Sequence, residues 1–252
     1  MNSLLRRAGS VTVVLLVWEL SVRLNLTSGF VLAAPSTIVA EMWKLTLSGE
    51  LAMHVKASMA RMLAGYALAL VSGLALGALM GWFRWLDDIA DPLVELLRPV
   101  SPLAILPLAI LWLGIDQSSK IFVIWYGCFF PVLLNTYAGV RGVPKSTVEA
   151  ARTLGAGTDE MLRHVVFHHC LPSVMTGARI SFAVGMIVII AAEMVAANAG
   201  LGYMILTAQQ TFQTAALYAG IVTIAMIGFV GDRLLRLART LLCPWYVEID
   251  RP

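Results

Sequence analysis

Residues 149–172 read EAARTLGAGTDEMLRHVVFHHCLP, the longest charged stretch in a chain that is otherwise strongly apolar. From residue 145 to 164 only Gly155 and Gly157 oppose helix formation, and Ser146 or Thr147 is a good N-cap with Glu149 in the first turn. The natural parse is therefore helix, glycine-containing turn, helix. Ala150 and Ala151 permit close approach, Leu154 is an exposed apolar knob, and Gly155 lets the backbone turn or meet another surface. Glu149, Arg152, Asp159, Glu160 and Arg163 supply charges of both signs around this patch. A polar rim around an apolar knob suits a docking surface, and the same composition also fits a solvated loop helix.

What lies on either side of this stretch sets its context. The 252 residues are 59% hydrophobic and 13% charged, with a mean hydropathy of +0.82. Soluble domains run at roughly half apolar and a quarter charged, so this composition belongs to an integral membrane protein. At about 20 residues per span the chain has room for five to seven membrane helices. A net charge of +3 with no basic run among aromatics argues against nucleic acid. Cys128, Cys170 and Cys243 lack metal-ligand or CxxC spacing and read as buried free thiols.

Hydropathy predicts six spans and an all-α fold. The first covers residues 11–24, where Glu19 and Arg23 share a helical face. The best small-residue cleavage site ends at Ala34 and is followed by Pro35, so this segment reads as an anchor and not a signal peptide. Pro35 and Ser36 open a short amphipathic surface helix through Leu45. The second span, 62–83, carries Gly73, Gly77 and Gly81 one turn apart, which permits close helix approach. The third, 96–113, is punctuated by Pro99, Pro102 and Pro107. Those prolines either line a pathway, because irregular backbone at membrane depth survives beside a water-filled cavity, or merely kink a packed helix. The fourth span, 121–140, holds Asn135; the polar segment 141–178 follows; the fifth, 179–197, contains Glu193; the sixth is 217–230. The organisation expected is an N-terminal anchor and surface helix in 1–61, a core in 62–240 containing the 141–178 loop, and a tail in 241–252.

Six spans put both termini on one side, and basic residues choose which. Thirteen Lys and Arg fall on the side of the termini and the Glu149 segment, against five opposite (Arg23, Lys44, Lys56, Arg61 and Lys120). The positive-inside rule makes the termini and residues 141–178 cytoplasmic.

Other chemistry is sparse. Glu193 is the one carboxylate deep in a span: it pairs with a polar neighbour, lines the pathway, or lies near the outer interface. His164 and His168 are four apart, but no HExxH order accompanies them, and a solvated or loop-packing role fits better than metal binding. There is no GxxxxGK[ST], no GxSxG elbow and no intramembrane His-Asp pair, so neither nucleotide binding nor catalysis is expected in this chain.

The 149–172 stretch resembles the cytoplasmic docking loop of ATP-binding-cassette (ABC) importer permeases. That loop has Glu-Ala-Ala, three residues, Gly, nine residues, an aliphatic, one residue, then Leu-Pro. Glu149, Ala150, Ala151, Gly155 and Val165 match, whereas Phe167-His168 stand at the Leu-Pro position and Leu171-Pro172 lies four residues later. RPVSPLAILPLAILWLGI at 98–115, FFPVLLNTYAGVRGV at 129–143 and AAEMVAANAGLGYMI at 191–205 resemble the branch importing sulfonates, taurine, nitrate, bicarbonate or thiamine precursors. The resemblance implies a six-span type I importer bundle in the bacterial inner membrane. It also implies a dimer of permeases, expected as a homodimer with a heterodimer of two related permeases as the alternative, two ATPase subunits that bind ATP and Mg, and a periplasmic or lipoprotein solute-binding protein. Glu149, Ala150, Ala151, Arg152, Leu154 and Gly155 would dock the ATPase, and Pro102, Pro107, Asn135 and Glu193 are pathway candidates. The alternative is a self-contained six-span secondary transporter or channel. Such a protein would be expected to hold several ionisable groups at mid-membrane, often within inverted repeats; the chain offers Glu193 and little else.

Overall fold

The computed structural model describes residues 2–24 and 32–245, all of whose regular structure is helical. In chain order the elements are α1 (Asn2–Arg23), α2 (Pro35–Leu47), α3 (Glu50–Trp82), α4 (Arg84–Leu97), α5 (Pro102–Leu113), α6 (Gln117–Arg141), α7 (Lys145–Thr153) and the single turn α8 (Thr158–Glu160). A π-helical segment, Met161–Val166, then leads into α9 (Phe167–Ala196), followed by α10 (Leu201–Gln210) and α11 (Thr214–Leu242).

Among the described residues, four stretches are long and apolar enough to cross a membrane: Glu50–Trp82, Gln117–Arg141, Met161–Ala196 and Thr214–Leu242. A fifth is possible if α4 and α5, bent by 97°, form one broken span. Several helices outrun the spans read from hydropathy. The second begins at Glu50, not near residue 62, and its 33 residues reach about 50 Å at 1.5 Å per residue, well beyond a hydrocarbon core of about 30 Å. Its first turns, with His54, Lys56 and Arg61, therefore need not lie in lipid. The same excess applies to Met161–Ala196, whose 36 residues absorb the second half of the segment expected to be a loop through residue 178. The last helix likewise runs from Thr214 to Leu242, well past residue 230.

The third expected span is two helices. Pro99 cannot donate to continue α4, and Pro102 occupies the first position of α5, where a missing N–H costs nothing. The break falls between them, while Pro107 remains inside α5. Residues 84–95, expected as a connection, form α4, an amphipathic helix that buries Asp87 and Val94. Helix α10 was not expected at all; at ten residues it is too short to span.

The chain divides into two compact units. One comprises Met1–Met59 and Glu193–Met226, the other Ala60–Ala192 and Ile227–Pro252. In the first, Glu19 pairs with Arg23 at 2.7 Å as its spacing predicts, and it also accepts the Ser36 hydroxyl (2.7 Å) and the Ser36 N–H (3.1 Å) at the start of α2. The Trp18 and Tyr218 rings meet edge to face at 6.0 Å.

The second unit is organised on α6, whose Val123, Ile124, Cys128, Val132 and Leu133 are fully buried. The glycine face of α3 lies on it. Gly73 meets Val132, Gly77 meets Leu133 and Thr136, and Gly81 meets Val140. A Cβ at Gly77 would come within 2.6 Å of the Leu133 carbonyl oxygen, so only glycine permits this spacing. On the other side Tyr66 donates to the Ala178 carbonyl at 2.9 Å, and the Ser181 hydroxyl donates to the Cys128 carbonyl at 2.8 Å.

Candidate functional site

Pro144 occupies the N-cap position of α7 in extended conformation, and no side chain caps the helix. The expected Ser146 or Thr147 cap is thus displaced by Pro144, whose fixed φ ends the preceding segment and leaves Lys145 as the first helical residue. After nine residues the helix closes on Gly155, which takes a φ of +86°. The Gly155 N–H donates to the Arg152 carbonyl (2.9 Å) and the Ala156 N–H to Ala151 (3.0 Å). This left-handed turn is the one Gly155 was expected to make, and nothing lies within 4 Å of the place where a side chain would begin. On the outgoing side Glu160 accepts from the Gly157 N–H at 3.1 Å, and Arg163 pairs with Asp159 at 3.2 Å.

The resulting face is open. Glu149, Ala150, Arg152 and Gly155 are exposed, Ala151 is half-buried, and Leu154 is 88% exposed. An isolated leucine so exposed at a helix end stabilises nothing in the chain itself. Beneath the face, Val140, Val166 and Cys170 form a small buried cluster with Val143 and Val174, joining the end of α6 to the start of the long helix. His164 Nδ1 lies 3.2 Å from the Glu160 carbonyl, and His168 packs its ring 5.1 Å from that of Trp245. No group of three or more His, Cys, Asp or Glu is placed to hold a metal among the described residues.

Directly before α7, Arg141 pairs with Asp87 of α4, whose carboxylate also accepts the Tyr137 hydroxyl at 3.0 Å. The Arg141 guanidinium stands over the Tyr137 ring at 5.6 Å. Asp87 is buried, and this triad ties α4 to the helix that leads into the exposed face, beside the packing of Val94 on Tyr126, Phe130 and Leu133 and the Tyr126 hydroxyl donated to the Leu97 carbonyl. Neither Asp87 nor Tyr137 was singled out from sequence, because 50 residues separate the partners and no motif links them.

At the other end of α4 the backbone turns through residues 98–101 and a cavity of about 360 Å³ opens. Pro102 and Asn135, both expected at the pathway, line it together, with Arg98 at its edge. Pro107 lies further along α5 and is exposed. Arg98 entered the sequence reading only as a basic residue, although its place beside Pro99 marked it as an elbow residue.

Glu193 belongs to the other unit, where it is fully buried. The Ser58 hydroxyl lies 2.8 and 2.9 Å from its two oxygens, and the Gly202 N–H donates to it at 3.0 Å. Ser58 in turn accepts the Leu201 N–H at 2.8 Å, and His54 Nδ1 accepts the Gly200 N–H at 3.0 Å. These donors are the first N–H groups of α10, so Glu193, Ser58 and His54 together cap that helix. Gly200 has a φ of +132°, and a side chain there would begin 2.3 Å from the Glu193 carboxyl. Of the possibilities its sequence position left open, pairing with polar neighbours is the geometry found.

The sequence matches the family described as "Binding-protein-dependent transport system inner membrane component" over residues 69–240. It is 37% identical over 233 residues to a Bacillus subtilis (strain 168) permease, SsuC, whose name assigns it to aliphatic sulfonates transport, covering 92% of this chain and 84% of that one. It is 36% identical over 249 residues to the taurine transport system permease protein TauC of Escherichia coli (strain K12), covering 96% and 90%. The fold is similar to a chain of the inward-facing MetNI methionine ABC transporter, with a TM-score of 0.61 at 20% identity over 76% of this chain and 97% of that chain.

Proposed function

The chain belongs to the family of inner-membrane permease subunits of binding-protein-dependent ABC importers, and from that premise we propose that α7 and the turn after it are the surface through which a separate ATPase drives it. ATP hydrolysis belongs to the partner subunit; this chain is the membrane component. The docking residues are Glu149, Ala150, Ala151, Arg152, Leu154 and Gly155. The observation that carries the reading is the 88% exposure of Leu154 at the end of a short polar helix set between two long apolar ones. Such a knob, ringed by charges of both signs, suits a cleft on a soluble partner.

The solute is a small anion, in keeping with relatives named for sulfonates and taurine. Six spans account for the chain when α1 is counted with the four long helices and α4–α5 crosses as one broken span. That crossing is required if α3 ends and α7 lies on the cytoplasmic side, as the distribution of basic residues directs. Both termini are then cytoplasmic. Residues 1–61 serve as anchor and surface helix, 62–240 as the permease core, and 241–252 as a tail. Two copies face each other around the pathway, presenting two docking helices to two ATPase subunits with matched two-fold symmetry. An external binding protein delivers the solute.

Movement of the docked helix reaches the pathway through named contacts. The Val140, Val166 and Cys170 cluster carries it to α6 and α9, and the Arg141–Asp87 pair carries it to α4, whose far end is the elbow at Arg98. The test is co-purification. Glu149→Lys reverses a docking charge and Gly155→Trp fills the turn. Each variant is expected to insert normally and to lose the ATPase subunit. Full retention of the ATPase and of solute uptake by both variants would refute the docking assignment.

A further inference from the structure

Residues 232–243 of α11 read DRLLRLARTLLC, in which Asp232, Arg236, Arg239 and Cys243 recur at intervals of four, three and four and so share one helical face. That face and part of α9, including Arg179, Ile180 and Ala183, line a cavity of about 640 Å³ within the second unit. Three guanidinium groups and one carboxylate border it, an excess of two positive charges. Arg179 and Arg236 share the carboxylate: both pair with Asp232, the latter at 3.0 Å. Arg239, one turn further on, adds the third cation to the same wall.

Helix lengths give the depth of this cavity. Asp232 lies 18 residues into α11 and Arg179 17 residues back from the end of α9, which is about 26 to 27 Å along each helix. Both counts bring the Arg179–Asp232 pair to the edge of a hydrocarbon core of about 30 Å. Arg236 and Arg239 lie one and two turns beyond it, at the level of lipid headgroups, whereas Ile180 and Ala183 lie on its membrane side. On the opposite face of α11, Leu234, Leu237 and Leu241 are each more than half exposed, so the helix still meets an apolar medium at this level. The half-exposed Trp245 just beyond is a residue type that settles at membrane interfaces.

We propose that this cavity holds an anionic phospholipid, its phosphate between Arg236 and Arg239 and its acyl chains rising past Ile180 and Ala183. Only the leaflet, the cytoplasmic one, rests on the topology proposed above. Basic recesses between membrane helices at this level suit lipid phosphates, and a planar guanidinium meets two phosphate oxygens at once. The volume takes a glycerophosphate and the first part of its chains. A zwitterionic headgroup is disfavoured, because its ammonium needs a carboxylate and both arginines already claim Asp232. Free phosphate would leave the apolar half of the wall unused.

The test is native mass spectrometry of the detergent-solubilised permease with its ATPase, titrated with phosphatidylglycerol or phosphatidylethanolamine of identical chains. The native chain is expected to bind phosphatidylglycerol at least tenfold more tightly. Arg236→Gln combined with Arg239→Gln, which keeps the Arg179–Asp232 pair, should abolish that preference, and Arg239→Gln alone should weaken it roughly fivefold. Arg233→Gln removes a cation of the same helix that stacks on Phe229 outside the cavity, and it should leave the preference intact. Equal binding of the two lipids by the native chain, or an undiminished preference in Arg239→Gln, would overturn the site. A loss as large in Arg233→Gln would reduce it to general surface attraction. Displacement of the lipid by excess inorganic phosphate would give the cavity to a soluble anion, and a fall in the number of permease copies in the double variant would give it to a second copy. Failure of the docking assignment would leave these affinities unchanged, because they are read on the permease chain itself.

Discussion

Glu149 and Glu193 are both carboxylates in an apolar chain, and they are held in opposite ways. Glu149 stands exposed on α7, and its side chain has no hydrogen bond or ion pair among the described residues; its carbonyl accepts the Thr153 hydroxyl at 2.9 Å. Glu193 is fully buried, and its oxygens receive hydrogen bonds from a serine 135 residues away and from the first turn of another helix. A carboxyl group left free of its own chain is available to a partner; one surrounded by hydrogen-bond partners from the same chain is part of the fold. Substitutions in the two regions should therefore separate stability from partner binding.

The largest expected effect on stability is at the buried carboxylate. Glu193→Leu leaves Ser58 and the Gly202 N–H without their acceptor, and the expected cost is about 3 kcal/mol, seen as a drop of roughly 10 °C in the melting temperature of the detergent-solubilised protein. Gly200→Ala should be similarly damaging, because it meets the Glu193 carboxyl at 2.3 Å and forces alanine into a φ of +132°. Native-like melting of both variants would show that the cap on α10 is not what requires the acid.

A smaller effect is expected from Arg141→Met, which strips the buried Asp87 of its cation but leaves it the Tyr137 hydroxyl. Its melting temperature should fall by less than that of Glu193→Leu. Uptake should fall more steeply than stability, because the charged link between α4 and the docking side is lost while the packing of α4 on α6 remains. An unchanged uptake rate would remove Arg141 and Asp87 from the coupling route. The smallest effect on stability belongs to Glu149→Lys, a change of an exposed side chain on the helix before the docking turn; melting within about 2 °C of the native protein is expected alongside loss of the ATPase. Gly155→Trp, by contrast, forces tryptophan into a φ of +86° and should cost about 1–2 kcal/mol more. A large drop in melting temperature for Glu149→Lys would mean that this helix serves the fold.

The same contrast explains what could be read in advance. The docking helix was legible because its features are local: nine residues of helix, a glycine at +86° and an exposed leucine all follow from a short stretch of sequence. The glycine face of α3 was legible as a contact face, although not its partner, since any helix could have lain on it. Helix lengths were not, because charge was taken as the end of a span. His54 and Arg61 sit in α3, yet one accepts the Gly200 N–H and the other is bonded to Gln117. Helix α4 was hidden for the same reason: Asp87, Asp88, Asp91 and Glu95 resemble a loop until Asp87 finds Arg141. The elbow was half legible. Three prolines announced a break, but only the location of Pro102 at a helix start and of Pro107 within a helix fixed where it falls.

A cysteine in place of Asp159, exposed beside the docking turn, gives the side of the membrane directly. It is expected to react with an impermeant maleimide in inverted vesicles and not in intact cells. The most direct test of the docking surface is a crosslink from its apolar knob. Leu154→Cys, expressed with its ATPase in native membranes and treated with a short thiol crosslinker, should yield a single new band of permease joined to ATPase, lost when Glu149→Lys is added. A Leu154→Cys chain that transports solute normally but never crosslinks to the ATPase would contradict the assignment of α7 as the docking helix.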